Sequence, residues 1–582
     1  MSNLGIRILY GLLNGIDGVW CERAFAPWSD MEEQMRKGGV ALYGIESGDP
    51  IRDFDIIAFS LGYELSYVNV LNMLDMAGIP LRVEERPDEA PLVIAGGTCC
   101  FNPEPMADFF DFFVIGEGEE VAVEIINMLR NSEFGIRNSE LRGTTRKRKE
   151  ANDKIASKED FLKAVSKIDG IYVPSRYDIQ YSGEGTVSNI IPLAGAALPV
   201  KKRIVQDLDG AYFPIDTIVP STGIVHDRVA LELFRGCARG CRFCQAGHVC
   251  RPVRSRSIET LVSQGIEALG NSGYDELALL SLSTSDYKGL YELCDGLLSW
   301  CDPRNISLSL PSLRADSFSV GLMERVQRVR KSGLTFAPEA GSQRLRDAIN
   351  KNITEDELLG ACRVAFEGGW NSVKLYFMLG LPTEIDDDVV AIADLSRAVL
   401  QTWKRHASKK NRGVRITVST SYFVPKPHTP FQWEPQITME EYLRRVELLR
   451  DSLKEKAITY NWHSPEQGFI EAALARADRN VSQAILAAWR LGARLDSWSE
   501  FFSLERWRTA FSQCGMDPAF YSLRERSRKE TLPWSVVSAG LDDEYLWAGR
   551  NAARENSKTP DCREACSGCG ASALLEGARR CE

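Results

Sequence analysis

Histidine is scarce in this sequence: 5 occur in 582 residues, and none precedes His226. No imidazole from the N-terminal third can therefore ligate a metal. An excess of positive charge is missing too. The formal net charge is −10, from 70 lysines and arginines against 80 aspartates and glutamates. That argues against a generally basic nucleic-acid coat, while a local basic groove stays open. No apolar run approaches the roughly 20 residues of a membrane span. Near the start, Asp17, Glu22 and Arg23 break any signal-like core. The expectation is a cytoplasmic protein with no membrane span.

A chain of 582 residues exceeds one hydrophobic core, so roughly two to four domains are expected. With 44% hydrophobic and 26% charged residues, the composition is that of an ordinary globular protein. Its 15 cysteines, in a long chain without a signal-like start, point to metal ligands and buried thiols rather than disulfides.

The cysteines concentrate where the chain has most to say. Leu233 to Cys244 spells C-x3-C-x2-C at Cys237, Cys241 and Cys244. Gly236 and Gly240 let the backbone curl so that three thiolates converge and amide N–H groups face the sulfurs. A closed zinc site or a plain electron-transfer cluster takes four ligands, so three local cysteines suggest a four-iron cluster with one iron left open. Zinc completed by His248 or Cys250 is the rival reading.

The strand and helix pattern around this loop repeats. Strands are expected at Val229 to Phe234, Glu276 to Leu282, Asn305 to Leu310, Gly333 to Ala337, Ser372 to Leu379 and Ile416 to Thr420, with helices between them. Ser257 caps one helix, and Thr354 with Glu357 forms a capping box for another. In such a barrel the chemistry sits at the carboxyl ends of the strands. The cysteine loop after the first strand, the Pro338 to Ser342 segment after the fourth and Met378 to Glu384 after the fifth together resemble the radical S-adenosylmethionine (SAM) superfamily.

The resemblance implies a partial (β/α)6 barrel holding a [4Fe-4S] cluster on Cys237, Cys241 and Cys244, with SAM on the open iron. Phe243 matches the aromatic whose backbone contacts adenine. Ala337 to Lys351 resembles a signature of the cobalamin and methylthiotransferase branches, in which Glu339, with Gly341 and Ser342, meets SAM. Gly380 and Pro382 match the turn that approaches adenine, and Arg314 is a candidate partner for the SAM carboxylate. A proline-rich segment, Tyr422 to Phe431, follows the sixth strand as in the family.

Ahead of the barrel, Asp55 to Ser60, Leu92 to Ala95 and Phe112 to Ile115 read as buried parallel strands, with a helix through Tyr67 and Leu74 and glycines at the strand ends. This is a Rossmann-like, doubly wound α/β pattern, which binds ligands beyond the carboxyl ends of its strands. The region resembles the cobalamin-binding domain of B12-dependent radical SAM proteins. By that resemblance Ser60, Gly62, Gly96, Gly97, Gly116, Glu117 and Gly118 would surround the corrin. The family's histidine below cobalt has no counterpart here, and a fold kept without its cofactor is the alternative.

Residues Asn131 to Lys158 are charged, with Arg142, Arg146 and Arg148, and read as a linker; a few short strands are expected from Ile171 to Val205. Beyond Trp433 the chain reads as helical, with Arg476, Asp478, Arg479, His463 and Glu466 either lining a cleft or sitting on a solvated face. The end repeats the motif: Cys562, Cys566 and Cys569 stand in C-x3-C-x2-C, with Cys581 close by. An auxiliary iron–sulfur cluster, a zinc site or free thiols all fit that spacing, and the intervening helices suggest a separate domain. The expected division is 1–130 cobalamin-type domain, 131–225 linker and short strands, 226–435 barrel and 436–582 helical region with the cysteine tail.

The resemblance implies an enzyme that cleaves SAM reductively, drawing electrons from a flavodoxin or ferredoxin. It would then modify a substrate that no residue identifies: tRNA, rRNA, a protein or a lipid. Cobalamin-dependent methylation leads, methylthiolation is the enzymatic alternative, and a cobalamin- or redox-responsive binding protein is the rival from another class.

Overall fold

The computed structural model describes residues 3–132, 155, 157–311, 314, 321, 325, 334–408 and 413–577. The chain forms two compact units, each assembled from separated stretches: Ile8–Val205 with Phe469–Gly540, and Met1–Arg7 with Gln206–Gly468 and Leu541–Glu582. The C-terminal 436–582 region drawn from the sequence is thus not one body: its middle part, Phe469–Gly540, folds with the N-terminal residues, whereas 436–468 and Leu541–Glu582 fold with the barrel.

In the first unit, strands Ile56–Ser60, Leu92–Gly96 and Phe112–Val114 pair in parallel, and Ile171–Tyr172 joins antiparallel at the edge. The run Leu92-Val93-Ile94-Ala95 is apolar on successive residues because both faces of this strand are buried. Helices Glu119–Arg130 and Lys158–Val165 cover one face, pressing Val121, Ile125, Phe161 and Val165 onto Leu92, Ile94 and Phe112. The other face carries a ladder of rings, Phe59, Phe110, Phe113, Tyr172 and Tyr177, in successive contact. The strands lie in chain order, so the order reversal that opens a crevice in a doubly wound sheet does not fall between these described strands.

The segment Phe469–Gly540 binds this sheet through buried polar groups. Asn102 donates to the carbonyls of Ala475 and Ala477 at 3.0 and 2.9 Å. Arg479 pairs with buried Glu104 at 2.9 Å and also donates to the Tyr172 hydroxyl. Arg476, fully buried, donates to the carbonyls of Ser522 and Arg524. Burial pushes the Asp478 carboxyl up to about 6. Arg476 and Asp478 therefore stand on no solvated face; they tie segments together. The charged linker lies mostly outside the described residues, whereas the short strands beyond it are present at Tyr177–Tyr181, Val187–Pro192 and Val200–Lys201.

The second unit is the barrel. Strands Val229–Glu232, Glu276–Leu280 and Ser307–Ser309 form a three-stranded parallel sheet, and Leu334–Glu339, Ser372–Leu379, Arg415–Tyr422 and Ile458–Trp462 a four-stranded one. The last of these lies in the stretch that reads as helical, where Ile458-Thr459-Tyr460 is too short a β-branched and aromatic run to outweigh its helical neighbours. Ser257 and Thr354 cap their helices, and the Thr354–Glu357 box is closed in both directions. Leu231, Leu277, Leu279, Leu297 and Leu308 make the core of the first half. No helix among the described residues is long and apolar enough to cross a membrane.

Candidate active site

The cysteine loop begins two residues after Phe234–Arg235, a short strand that follows the first barrel strand. Gly236 turns it with φ +92°, and a side chain there would lie 2.7 Å from the Pro252 carbonyl oxygen. Only glycine fits such an approach. Cys244 ends the loop by capping helix Gln245–Val249, its sulfur accepting the Gly247 N–H at 3.3 Å.

Burial, and the charge each thiolate would impose on the next, push the Cys237 and Cys244 thiols up, Cys244 to about 12. Without metal these thiols stay protonated, so cluster ligation must expel their protons. Buried Arg251 favours the negative charge on Cys237 and Lys351 that on Cys244, while Asp286 opposes it at Cys237. Three mutually interacting thiols, an amide donor to sulfur and a buried guanidinium fit an anionic iron–sulfur cluster. Among the described residues no three His, Cys, Asp or Glu side chains are set to hold a single ion. His248, which the zinc reading would use, is buried with Nδ1 on the Cys244 carbonyl at 2.8 Å. Burial and Arg251 lower its pKa to about 3.

At the carboxyl ends of the strands the predicted residues divide. Glu339 closes its strand in a left-handed conformation, φ +69°, just after a bulge. Strain of that kind in a non-glycine residue marks a position fixed by its surroundings. Its carboxylate meets the Lys351 ammonium at 3.3 Å, Arg314 donates to the Lys351 carbonyl at 3.1 Å, and the Lys351 charge acts on Cys244. Glu339, Arg314 and Lys351 are thereby grouped beside the third cysteine. Phe243 is half-buried against Ala340, Leu345, Leu381 and Phe431.

Gly341 and Ser342 serve the loop itself. A side chain on Gly341 would come within 2.3 Å of the Ile392 amide nitrogen, so this glycine lets the loop lie against helix Asp386–His406. Ser342 accepts the Leu345 N–H as helix cap and donates to Asp388. Gly380, at φ +88°, gives its N–H to buried Glu384 at 2.7 Å, while Pro382 is half-buried beside it. Of the Pro311 to Arg314 segment, Ser312 and Leu313 lie outside the described residues.

In the first unit, Ser60, Gly62 and Gly97 are open to solvent beside the half-buried Gly96, and a side chain on Gly62 would meet nothing within 4 Å. Gly116 and Glu117 are committed otherwise: Gly116 bridges Arg203, and the Glu117 carboxylate accepts the Val205 N–H at 2.7 Å. Gly118 packs against Leu9. The first two strand ends are therefore open to solvent, whereas the third loop is occupied by the chain's own backbone.

The cysteine tail lies directly on the first cysteine loop. The Cys562 N–H donates to the Ala238 carbonyl at 3.0 Å. Arg242 reaches the Ser557 carbonyl and Thr559 hydroxyl at 2.8 and 2.9 Å. Asn350 donates to the Gly240 carbonyl at 3.2 Å and accepts the Thr559 N–H at 2.9 Å. The expected separate tail domain is thus corrected: the buried arginines of the loop need acceptors, and the tail supplies them. Arg251 donates to the Gly247 carbonyl at 3.1 Å and the Tyr545 hydroxyl at 3.2 Å, and its charge acts on Cys237 of the first loop and on Cys562 and Cys569 of the tail. Cys566 is exposed, and Cys581 lies outside the described residues.

Residues 5–174 match the family described as radical SAM proteins, N-terminal, and residues 231–396 match the radical SAM superfamily. An uncharacterized protein of Methanocaldococcus jannaschii is 30% identical over 453 residues, covering 77% of this chain and 84% of that protein. The chain belongs to the radical SAM superfamily. A tRNA-2-methylthio-N(6)-dimethylallyladenosine synthase of Neorickettsia sennetsu is 22% identical over 40% of this chain, which spans 48% of that enzyme. Among solved structures, the radical SAM methyltransferase TsrM from Kitasatospora setae, with cobalamin and a [4Fe-4S] cluster bound, aligns over 74% of each chain with TM-score 0.46 and 12% identity. As a radical SAM enzyme, the protein uses an iron–sulfur cluster and SAM.

Sequence reasoning missed Arg239, Arg251, Asp286 and the grouping role of Lys351. Lys351 closes the recognised Ala337 to Lys351 stretch and so carried a signal. The two arginines carried none, because the side chains they meet, Asp286 and Asp561 for Arg239 and Tyr545 for Arg251, lie 47, 322 and 294 positions away.

Proposed function

We propose that the protein cleaves SAM at the cluster of Cys237, Cys241 and Cys244 and, with cobalamin, methylates a substrate brought to the carboxyl ends of the barrel strands. The observation that carries the reading is the grouping of Glu339, Arg314 and Lys351 beside Cys244. Methionine's ammonium finds a carboxylate in Glu339, and its carboxylate finds cations in Arg314 and Lys351. Phe243 and the Gly380–Pro382 turn border the adenine, and the apolar cluster behind Phe243 excludes water. The cluster, when bound, supplies the electron that breaks the C5′–S bond of SAM. Every other contribution is binding, orientation and exclusion of solvent.

Cobalamin would be held by Ser60, Gly62, Gly96 and Gly97, with Gly116, Glu117 and Gly118 shaping the loop beside them, and it would carry the methyl group. No histidine of this unit is available as its lower ligand. Sulfur insertion is the second reading, supported by the similarity to the methylthio synthase. Anaerobic incubation of reconstituted protein with SAM and dithionite tests the proposal: 5′-deoxyadenosine is expected, and its absence overturns it. Hydroxocobalamin that co-purifies with a base-off spectrum supports the cobalamin part, and failure to retain it leaves the sheet a scaffold.

A further inference from the structure

The four-stranded half of the barrel has two faces, and only one is a packed core. Val373, Leu375, Phe377 and Leu379 of strand Ser372–Leu379 are buried, as are Ile416 and Val418 of the next strand. Side chains alternate along a strand, so the residues between these face the barrel interior. Met378 is one of them, and it packs against the same apolar cluster as Phe243. Below it on that face stand Tyr376 and then Lys374. The neighbouring strands continue both layers: Thr335, Lys374, Thr417 and Thr459 lie side by side in register, and so do Tyr376, Ser419 and Asn461. His463 extends the last strand, its N–H on the Thr420 carbonyl at 3.0 Å, and falls on the Asn461 face one step nearer the strand ends.

A barrel interior is ordinarily filled with Val, Ile and Leu. Here it is polar, and Thr335, Thr459 and Asn461 are exposed, so this half of the interior is solvated. Its charge is unbalanced as well. The Lys374 ammonium lies over the Tyr376 ring, 4.6 Å from the centroid, and has no carboxylate partner among the described residues. The acids of the inner faces are committed elsewhere: Glu232 to Arg235 at 3.0 Å, Glu276 to Arg228 at 2.7 Å and Glu339 to Lys351 at 3.3 Å. Around Lys374 the Thr417, Ser419 and Asn461 side chains, also without hydrogen-bond partners among the described residues, can all donate. A half-buried ammonium among spare donors is completed by an anion.

We infer that the substrate is a small molecule bearing a carboxylate or phosphate, taken into the barrel interior with that group on Lys374. Its reacting carbon then lies at the level of Met378, two residues of strand or about 7 Å above the Tyr376 layer that the ammonium reaches. The inference rests on the radical SAM reading above. It selects against a folded RNA or protein, whose surface would stop at the strand ends and leave Lys374 uncompensated.

The experiment uses the full chain, reconstituted anaerobically, with inorganic phosphate and acetate as probes that separate the two sources of the anion. Amine labelling read by peptide mass spectrometry follows Lys374, with exposed Lys454 as internal control. Phosphate or acetate should slow labelling of Lys374 at least about threefold relative to Lys454, and should bind at least about tenfold more weakly to Lys374→Met. Labelling of Lys374 that neither probe slows, or binding that Lys374→Met leaves unaltered, overturns the inference. Should Lys374→Met not fold, the labelling of the unsubstituted protein decides alone. Unfractionated tRNA that shields Lys374 where neither probe does overturns the restriction to small molecules. A protein that binds a probe at Lys374 but forms no 5′-deoxyadenosine with SAM and dithionite fails the radical SAM reading, not the anion site.

Discussion

The guanidinium of Arg239 donates to the carboxylate of Asp286 at 2.7 Å, joining the cysteine loop to the segment after the second barrel strand. Both side chains are only 6% exposed. Removing one partner of a buried pair costs about 3–5 kcal/mol, because the other charge is left unpaired. Asp561, 3.4 Å from Arg239, offsets part of that loss. Asp286→Ala should therefore destabilise the apo protein by about 3 kcal/mol in urea unfolding and reduce reconstituted iron. A stability and iron content equal to the parent's would contradict the bracing role of the pair.

The triple variant Cys237→Ala/Cys241→Ala/Cys244→Ala should lose about four irons per chain and all SAM cleavage. Iron analysis after anaerobic reconstitution checks this, and an unchanged count would move the catalytic cluster elsewhere.

Glu339 and Gly341 belong to one recognised signature yet should fail differently. Glu339→Gln keeps the shape and removes a charged acceptor, worth about 1.5–3 kcal/mol, so SAM affinity should weaken roughly ten- to hundredfold with little change in stability. Gly341→Ala places a methyl 2.3 Å from the Ile392 nitrogen and should lower the melting temperature and soluble yield. Equilibrium SAM binding and thermal melts on both variants separate the roles.

These two positions also mark how far the sequence could be read. The cysteine loop, the six strands around it and the capping residues were legible because each depends on local spacing or periodicity. Glu339 was legible as a strand-end carboxylate. The packing need at Gly341 depends on helix Asp386–His406, and nothing near Gly341 announces it. The same holds for the tail: its cysteine spacing is plain, but its seat on Ala238, Arg242 and Asn350 is a long-range fact. Exchange of the Phe469–Gly540 and Leu541–Glu582 stretches between the two units left no compositional mark, since both are helical and rich in arginine.

Burial pushes Glu384 up to about 7 from its ordinary value, although Arg445 and the Gly380 N–H pull the other way. A carboxyl whose pKa is raised on folding stabilises the fold most below its unfolded pKa. That contribution is lost as pH rises from about 4.5 through about 7. Glu384→Gln should flatten the decline of melting temperature across this window. A parallel decline in parent and variant would show that Glu384 is not its source.

The bond from Arg242 to Ser557 closes over 315 positions of chain. At about 5–20 residues per second of synthesis, the cysteine loop waits roughly 15–60 seconds before the segment that seats it emerges. During that interval its thiols stand uncovered in a nascent chain. Iron–sulfur delivery in the cell thus meets two different acceptors, an open loop early and a covered one late.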